Sequence, residues 1–174
     1  MNSQFGQPPD TEPSFDATLA LIKRAHAGVF DDNGVPYEEH PIAVEKRLPP
    51  NAPLFVRNAA ALHDTLEDCK HRGFSLAYLY SLGYSKQTRD IVELLTFSKD
   101  DHRPYHEKVQ GIIDSGNLGA IWIKFCDMSE NTREDRLLGL PPEKEQRLRR
   151  KYAEPIVLLR SALIQRGWLD FLPE

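Results

Sequence analysis

The amino-acid sequence predicts an all-α protein built as a helical bundle, and three observations lead to this fold class. Apolar residues recur at steps of three and four, no segment alternates in the manner of a strand, and capping residues such as Ser14 and Asn117 precede periodic segments. The chain has 174 residues, which is near the ordinary size of one domain with its own core. We therefore expect a single helical domain.

The charge and the composition argue against several classes of protein. The chain carries 22 basic and 26 acidic residues, and its net charge of −4 argues against bulk binding to nucleic acid or an anionic membrane. No apolar run approaches the roughly 20 residues of a membrane span, and the first residues do not resemble a signal peptide. We therefore expect a cytoplasmic protein with no nucleic-acid or membrane partner, in which Cys69 and Cys126 stay reduced. No feature of the sequence predicts an oligomeric state.

The first predicted helices follow a short lead-in. Residues 1–13 are rich in Pro, Gln and Ser and are predicted to be flexible, so the domain would cover residues 14–174. Ser14 can cap a helix whose apolar positions step by three and four and which ends near Gly28. After a loop, Pro41 suits the first turn of a second short helix.

The most informative stretch is a predicted helix over residues 59–68. The core-facing stripe begins one turn before this stretch, at Phe55, and continues with Ala59, Leu62 and Leu66. Four polar residues lie off the stripe and pair at a spacing of four, which places them over one flank: His63, Asp64, Glu67 and Asp68. Three carboxylates beside one imidazole repel one another unless a cation lies among them, which favours a bound divalent metal. The alternative is a solvated acidic helix end, but the preceding Ala-Ala-Ala-Leu run indicates burial and favours a site.

Further helices are predicted over residues 75–82, 85–97, 104–114 and 118–131, followed by a long last helix with a kink or restart at Pro155. The run 121–126 is apolar almost all round. A continuous apolar run can also be a buried strand, but its length and its flanks favour a central helix. On that helix Lys124, Asp127 and Asn131 share one face, although a single buried aspartate more often caps or pairs than binds a metal.

A first-row divalent ion needs several nitrogen and oxygen ligands, and the chain supplies a candidate set: His40, His63, Asp64 and Asp127. Two histidines and two carboxylates would leave coordination positions open to water. Their separations along the chain are too long for a zinc finger, so such a site would form only in the folded domain. Spacing alone does not exclude a solvated acidic helix end or a buried aspartate that only caps or pairs.

Four segments resemble, in order, successive motifs of the HD-domain alarmone hydrolases, the hydrolase half of RelA/SpoT proteins and the small stand-alone hydrolases, metazoan SpoT homologues among them. These segments are Pro-Tyr-Glu-Glu-His-Pro at 36–41, Ala-Ala-Leu-His-Asp-Thr-Leu-Glu-Asp at 60–68, Val-Glu-Leu-Leu-Thr at 92–96 and residues 123–133. A bare His-Asp pair is weak evidence. The ordered set of HP, HDxxED and DxxxN motifs is specific.

This resemblance implies an HD-domain helical bundle with a buried metal site. It implies Mn²⁺ held by His40, His63, Asp64 and Asp127, with Glu67 and Asp68 as the catalytic acidic pair. The implied reaction removes the 3′-pyrophosphate from guanosine tetra- or pentaphosphate, a small-molecule nucleotide, and releases pyrophosphate and GDP or GTP. The implied substrate-binding residues are Asn131, Lys124 and Arg147, although the basic residues around Arg147 are by default a solvated face.

One departure from the family bears on the substrate. The chain has Asp31-Asp32 where the resembled enzymes usually carry an Arg-Lys pair before the Gly-x-Pro-Tyr loop. The two aspartates would either accept hydrogen bonds from a nucleobase or only form the turn with Asn33-Gly34. Two alternatives therefore stand beside an alarmone hydrolase. One is an HD phosphohydrolase of another nucleotide, such as an adenosine alarmone, an NADPH-type cofactor phosphate or a nucleoside monophosphate, and the other is a non-catalytic nucleotide-binding module.

Overall fold

The computed structural model describes Phe5 and residues 11–172. Within this part of the chain the α-helices are α1 Phe15–Ala25, α2 Glu39–Lys46, α3 Leu54–Leu62, α4 Thr65–Asp68, α5 Leu76–Ser81, α6 Lys86–Leu95, α7 Tyr105–Asp114, α8 Leu118–Asn131, α9 Glu134–Leu138 and α10 Pro142–Gln165. Short 3-10 helices follow α4 and α10, and the described residues contain no strand beyond an isolated bridge between Phe30 and Pro36. The fold is therefore all-α, as predicted.

The centre of the bundle is α8, which packs against α2, α3, α6, α7 and α10. Nearly all of its residues are buried, as the apolar run predicts. At Gly119 the helix approaches its neighbours so closely that an added Cβ would lie 2.8 Å from Ile91 Cδ1 and 3.2 Å from Val56 Cγ2. A side chain at this position would push α3 and α6 away from α8. The neighbours of α8 therefore hold its polar residues in fixed places.

Local signals in the sequence placed most helix starts correctly. The Ser14 hydroxyl accepts a hydrogen bond from the Ala17 N–H at 3.2 Å, and the Asn117 side chain accepts one from the Ala120 N–H at 3.1 Å. Each satisfies a backbone donor that the first turn of a helix leaves without a partner.

The predicted continuous helix over residues 59–68 is wrong in one respect, because α3 ends at Leu62 and α4 begins at Thr65. Two side chains bind carbonyls three residues earlier: His63 Nδ1 contacts the Ala60 carbonyl at 2.8 Å, and Thr65 Oγ1 donates to the Leu62 carbonyl at 2.7 Å. Side-chain donors of this kind compete with the backbone hydrogen bonds of a helix. His63 and Asp64 therefore lie at a junction between two helices.

Two further observations concern the C-terminal part. The last helix, α10, runs from Pro142 to Gln165 without a restart, with Pro155 buried inside it. The short helix α9 was not predicted from the sequence. It is held by the buried side chain of Leu137 and by Arg149 of α10, which donates to both oxygens of Glu134 at 2.8 and 2.7 Å.

Of the predicted flexible lead-in, residues 1–4 and 6–10 lie outside the described part. Its last residues are packed on the bundle. Glu12 Oε1 accepts hydrogen bonds from Asn58 and Thr88, each at 2.8 Å, and its other oxygen accepts one from the Ser85 N–H at 3.2 Å. This carboxylate joins the N-terminal segment to α3 and to the start of α6. None of the helices described here combines the length and apolar character that a membrane crossing requires.

Candidate active site

A cavity of about 290 Å³ opens where the loop before α2, the α3–α4 junction, α8 and α10 meet. Seven of the predicted metal-binding, catalytic and substrate-binding residues line it: His40, Asp64, Glu67, Asp68, Lys124, Asp127 and Asn131. His63 lies beneath its wall, with 2% of its surface exposed. Arg147 is not among the residues that line the cavity.

The four predicted metal ligands converge at one end of this cavity. His40 Nε2 lies 3.1 Å from Asp127 Oδ1 and 3.8 Å from Asp64 Oδ2. His63 Nε2 lies 3.0 Å from Asp64 Oδ2 and 3.7 Å from Asp127 Oδ1. Ligand atoms of His40, His63 and Asp64 all fall within 4.8 Å of one another. We call these four residues the metal-ligand cluster.

The chemistry of the cluster fits a divalent ion. The Ala60 carbonyl can only accept, so His63 Nδ1 carries a hydrogen, and a neutral ring then has its lone pair on Nε2. That atom is buried, and although it lies 3.0 Å from Asp64 Oδ2, it makes no well-aligned hydrogen bond among the described residues. Burial opposes protonation of His63, but the carboxylates of Asp64 and Asp127 outweigh burial and raise its pKa to about 10. The carboxylates thus favour a positive charge beside the rings, which either a protonated His63 or a metal ion in place of that proton would supply.

The two carboxylates of the cluster are kept ionised. Burial alone would raise the pKa of Asp64, but His63 more than offsets it and the pKa lies below its ordinary value. Burial likewise opposes ionisation of Asp127, and the Lys124 ammonium beside it holds that pKa well below the usual range. Both groups are therefore anions, the form that binds a metal.

Three hydrogen bonds fix these carboxylates. Lys124 Nζ donates to Asp127 Oδ2 at 2.9 Å, and Asn131 Nδ2 donates to Asp127 Oδ1 at 2.6 Å. The phenol of Tyr37 donates to Asp64 Oδ2 at 2.7 Å. Burial and the Asp64 charge raise the pKa of Tyr37, so its donor hydrogen is retained. Lys124 and Asn131 were predicted to bind substrate, and the structure places both against Asp127, one of the predicted metal ligands. Sequence reasoning assigned no role to Tyr37, although it lies in the first motif.

The predicted catalytic pair, Glu67 and Asp68, lies on α4 and lines the same cavity. Burial is the main cause that raises the pKa of each carboxyl, and the Asp64 carboxylate raises both further. The Phe97 N–H approaches Glu67 Oε2 at 3.4 Å. A carboxylate with a raised pKa is a stronger base, so either residue can accept a proton from water in the cavity.

Two lysines of α10 reach the cavity, whereas the predicted Arg147 does not. With about 100° of turn per residue, positions 144, 148 and 151 share one narrow face, and position 147 lies to one side of it. Lys144 and Lys151 accordingly line the cavity. Lys151 Nζ lies 4.4 Å from the centre of the Tyr105 ring, and burial together with the nearby Lys124 lowers its pKa.

Asp31 and Asp32 also line the cavity, and both carboxylates have partners. Asp31 Oδ1 accepts hydrogen bonds from the N–H groups of Asn33 and Val35, each at 2.9 Å, which is the turn-forming role considered from the sequence. Asp32 Oδ2 is ion-paired with Lys144. Asp31 therefore forms the turn, and its other oxygen also lies 3.6 Å from Arg136 Nη2.

Comparisons with known proteins give the same relatives as the motifs. Over 156 residues the chain is 30% identical to the guanosine-3′,5′-bis(diphosphate) 3′-pyrophosphohydrolase of Vibrio cholerae serotype O1, and the match covers 83% of this chain and 21% of that protein. The chain thus spans about a fifth of the length of this curated relative. No family model matches the chain.

A solved structure decides the fold. The structure of a metazoan orthologue of SpoT, described as hydrolysing ppGpp, matches with a TM-score of 0.67 and 22% identity, covering 91% of this chain and 99% of that one. The chain has the fold of this SpoT orthologue. The predicted HD-domain helical bundle and the predicted likeness to alarmone hydrolases are confirmed.

Proposed function

We propose that the protein is a metal-dependent 3′-pyrophosphohydrolase of guanosine tetra- or pentaphosphate, releasing pyrophosphate and GDP or GTP. The observation that carries this proposal is the convergence of two imidazoles and two carboxylates, beside a second pair of carboxylates, in one cavity. The activity in the name of the Vibrio relative and the ppGpp hydrolysis described for the SpoT orthologue support it.

In this proposal the metal-ligand cluster holds one divalent ion, for which we propose Mn²⁺. Mixed imidazole and carboxylate ligands without a thiolate suit that ion. A bound ion of this kind lowers the pKa of water and polarises a phosphoryl oxygen. Tyr37, Lys124 and Asn131 keep the two ligand carboxylates in one orientation, the usual role of groups that hydrogen-bond to metal ligands.

Glu67 and Asp68 are proposed to move the protons. The new bond joins the oxygen of water to the phosphorus next to the ribose 3′ oxygen, and the bond from that phosphorus to the 3′ oxygen breaks. One carboxylate accepts a proton from the attacking water, and the 3′ oxygen must gain a proton as it leaves. The raised pKa of both carboxyls suits an acceptor that later returns a proton.

Cations and rings from α7 and α10 are proposed to receive the rest of the nucleotide. Lys151 lies over the Tyr105 ring with its ammonium 3.3 Å from Tyr152 Oη, and it has no carboxylate partner among the described residues. It can therefore offset phosphate charge.

A single domain over residues 14–174, a cytoplasmic location and the absence of nucleic-acid and membrane partners stay predictions from the sequence.

The alternative substrate, another nucleotide, rested on Asp31-Asp32. Both carboxylates are engaged by the turn, by Arg136 and by Lys144, so each would have to give up a partner to read a base. The names of both relatives favour the guanosine nucleotide. A substrate panel containing adenosine alarmones and NADPH separates the two proposals.

The test is a product assay with purified protein, Mn²⁺ and guanosine tetraphosphate that measures GDP, pyrophosphate and orthophosphate separately. We expect GDP and pyrophosphate in equal amounts. Glu67→Gln and Asp68→Asn should lower kcat by about 10²–10⁴ and retain the metal, because each removes a proton acceptor. The exposed Glu107→Gln on α7 is the matched control. Orthophosphate as the only phosphate product would overturn the proposed pyrophosphate release. If the Glu67 or Asp68 variant instead lost the metal but kept its rate per bound ion, that residue would be a metal ligand and not a proton acceptor.

A further inference from the structure

The loop of residues 27–38, between α1 and α2, is fixed to the opposite side of the cavity. Asn33 Nδ2 donates to the Arg136 carbonyl at 3.2 Å. Gly139 lies so close to the loop that a Cβ at this position would clash with the Asn33 side chain. The tip of the loop therefore packs against α9 and the start of α10, the elements that face it across the cavity opening.

Two ion pairs cross this opening. Arg136 Nη2 lies 3.6 Å from Asp31 Oδ2, and Lys144 Nζ contacts Asp32 Oδ2. All four side chains line the cavity, and we call them the rim. Asp31 also accepts two backbone hydrogen bonds and is 11% exposed, whereas Asp32 is 57% exposed and has Lys144 as its one partner among the described residues. Asp32 is thus the rim residue that can change partners without unfolding the turn.

Most of the cationic side chains that could bind a phosphate in the cavity are already paired with carboxylates. Four cationic residues line the cavity among the described residues, and Lys124 is bonded to Asp127. Arg136 and Lys144 are held by the loop aspartates, which leaves Lys151 as the cation with no carboxylate beside it. A phosphate chain that reaches the rim meets a Lys144 whose charge Asp32 already offsets, and it competes with Asp32 for that ammonium.

We propose that Asp32 is a specificity-determining residue that selects against nucleotides with a long phosphate chain at the end remote from the metal-ligand cluster. By pairing with Lys144, it weakens the attraction that each further 5′-phosphate would otherwise gain. This inference rests on the proposed function, because the 3′-pyrophosphate is the end assigned to the metal. Guanosine 3′-diphosphates with few 5′-phosphates are then hydrolysed at least as well as those with a 5′-triphosphate.

The kinetic test uses guanosine 3′-diphosphates with zero to three 5′-phosphates at one low salt concentration. In the wild type kcat/KM does not rise along the series. In Asp32→Asn it rises, with a gain of about two- to five-fold for the 5′-triphosphate, the range that an exposed ion pair supplies. Asp90→Asn is the matched control, because it breaks the exposed Lys86–Asp90 pair on α6 and changes the net charge equally.

A double-mutant cycle assigns the gain to Lys144. Lys144→Gln alone should change kcat/KM little at any number of 5′-phosphates, since Asp32 already pairs with this lysine. Adding Lys144→Gln to Asp32→Asn should remove the gain in kcat/KM for the 5′-triphosphate. The exchanged pair Asp32→Lys with Lys144→Asp should return the wild-type series. The same gain in Asp90→Asn, or its survival without Lys144, would show that only general charge matters and would overturn the proposal.

A binding measurement separates this inference from the proposed function. Calorimetry on metal-free protein compares GDP with guanosine, which differ in the 5′-diphosphate. The GDP preference should increase about two- to five-fold in Asp32→Asn and disappear at about 1 M salt, where exposed charges are screened. An unchanged preference overturns the role of Asp32 whatever the enzyme hydrolyses. If no guanosine 3′-diphosphate is hydrolysed, the proposed function fails on its own.

Discussion

The Tyr37 phenol donates a hydrogen bond of 2.7 Å to Asp64 and thereby ties the loop before α2 to the α3–α4 junction. The Tyr37 ring lies between two histidines, with ring centres 4.8 Å from His26 and 5.8 Å from His40. One side chain therefore fixes a proposed metal-ligand carboxylate and packs against a proposed metal-ligand imidazole.

We predict that Tyr37→Phe weakens Mn²⁺ binding about 10–100-fold, the usual cost of losing a hydrogen bond to a metal ligand. The ring contacts persist in this variant, so the free energy of unfolding of the metal-free protein should change little. Calorimetric titration with Mn²⁺ measures the affinity, and the exposed Tyr80→Phe is the control. Equal affinities in both variants would show that Tyr37 does not position Asp64.

Lys124 offers a second test of what supports the ligands. It is buried, and its ammonium bonds Asp127 and lies 5.2 Å from the centre of the Phe97 ring. Lys124→Met should lower the free energy of unfolding by about 3 kcal/mol in metal-free buffer, because it leaves a buried carboxylate without its counter-ion. Added Mn²⁺ should recover more stability in this variant than in the wild type, because the ion replaces the lost charge.

Lys108→Met is the matched control for this prediction, since Lys108 lies 5.6 Å from the same Phe97 ring but pairs with a backbone carbonyl. Urea unfolding with and without Mn²⁺ gives the four free energies. Unchanged stability combined with a raised KM would instead support the substrate-binding role predicted for Lys124 from the sequence.

The helices and the metal-ligand cluster could be predicted because their signals are local or are carried by motifs. The start of α8 follows from Asn117 and from an apolar run that is buried on every side. The end of α3 at Leu62 could not be predicted, because it depends on how His63 and Thr65 bind backbone carbonyls in the folded chain.

Contacts between distant parts of the chain account for the remaining misses. Tyr37 has its partner 27 residues away, and Asn33 bonds Arg136 across 103 residues. Neither pair is marked by spacing or composition. The wrong choice of Arg147 instead of Lys144 and Lys151 has a different origin. Once one position of α10 is known to face the cavity, the 3.6-residue period of the helix identifies the other cavity-facing positions.

Glu12 gives a test outside the site. Its carboxylate accepts three hydrogen bonds, one of them from the N-cap residue of α6. Glu12→Ala should lower the free energy of unfolding by about 1–3 kcal/mol, because the side chains of Asn58 and Thr88 and the Ser85 N–H each lose one hydrogen bond. Thr11→Ala is the neighbouring control, and urea unfolding measures both. A flexible lead-in would give no difference between the two variants.

His26 predicts a pH dependence of stability. Burial lowers its pKa below the ordinary value of 6.5, although the Asp64 carboxylate opposes this. Well above pH 6.5 the His26 ring is neutral in both the folded and the unfolded chain. As the pH falls below 6.5, the ring binds a proton in the unfolded chain before it does so in the folded chain. The free energy of unfolding therefore decreases as the pH falls towards the pKa of the folded state. His26→Gln should make the unfolding free energy less dependent on pH between about pH 5 and about pH 7. The exposed His102→Gln should keep the wild-type slope, and an equal slope in both variants would exclude a neutral buried ring.

The most direct test of the account is a metal titration of EDTA-treated protein, following bound Mn²⁺ and pyrophosphate release from guanosine tetraphosphate together. About one equivalent of Mn²⁺ should restore turnover. Asp64→Ala and Asp127→Asn should lose both bound metal and turnover, whereas the exposed Asp114→Asn should keep both. Full turnover in metal-free buffer, or turnover that persists in Asp127→Asn, would contradict a metal-centred reaction at this cluster.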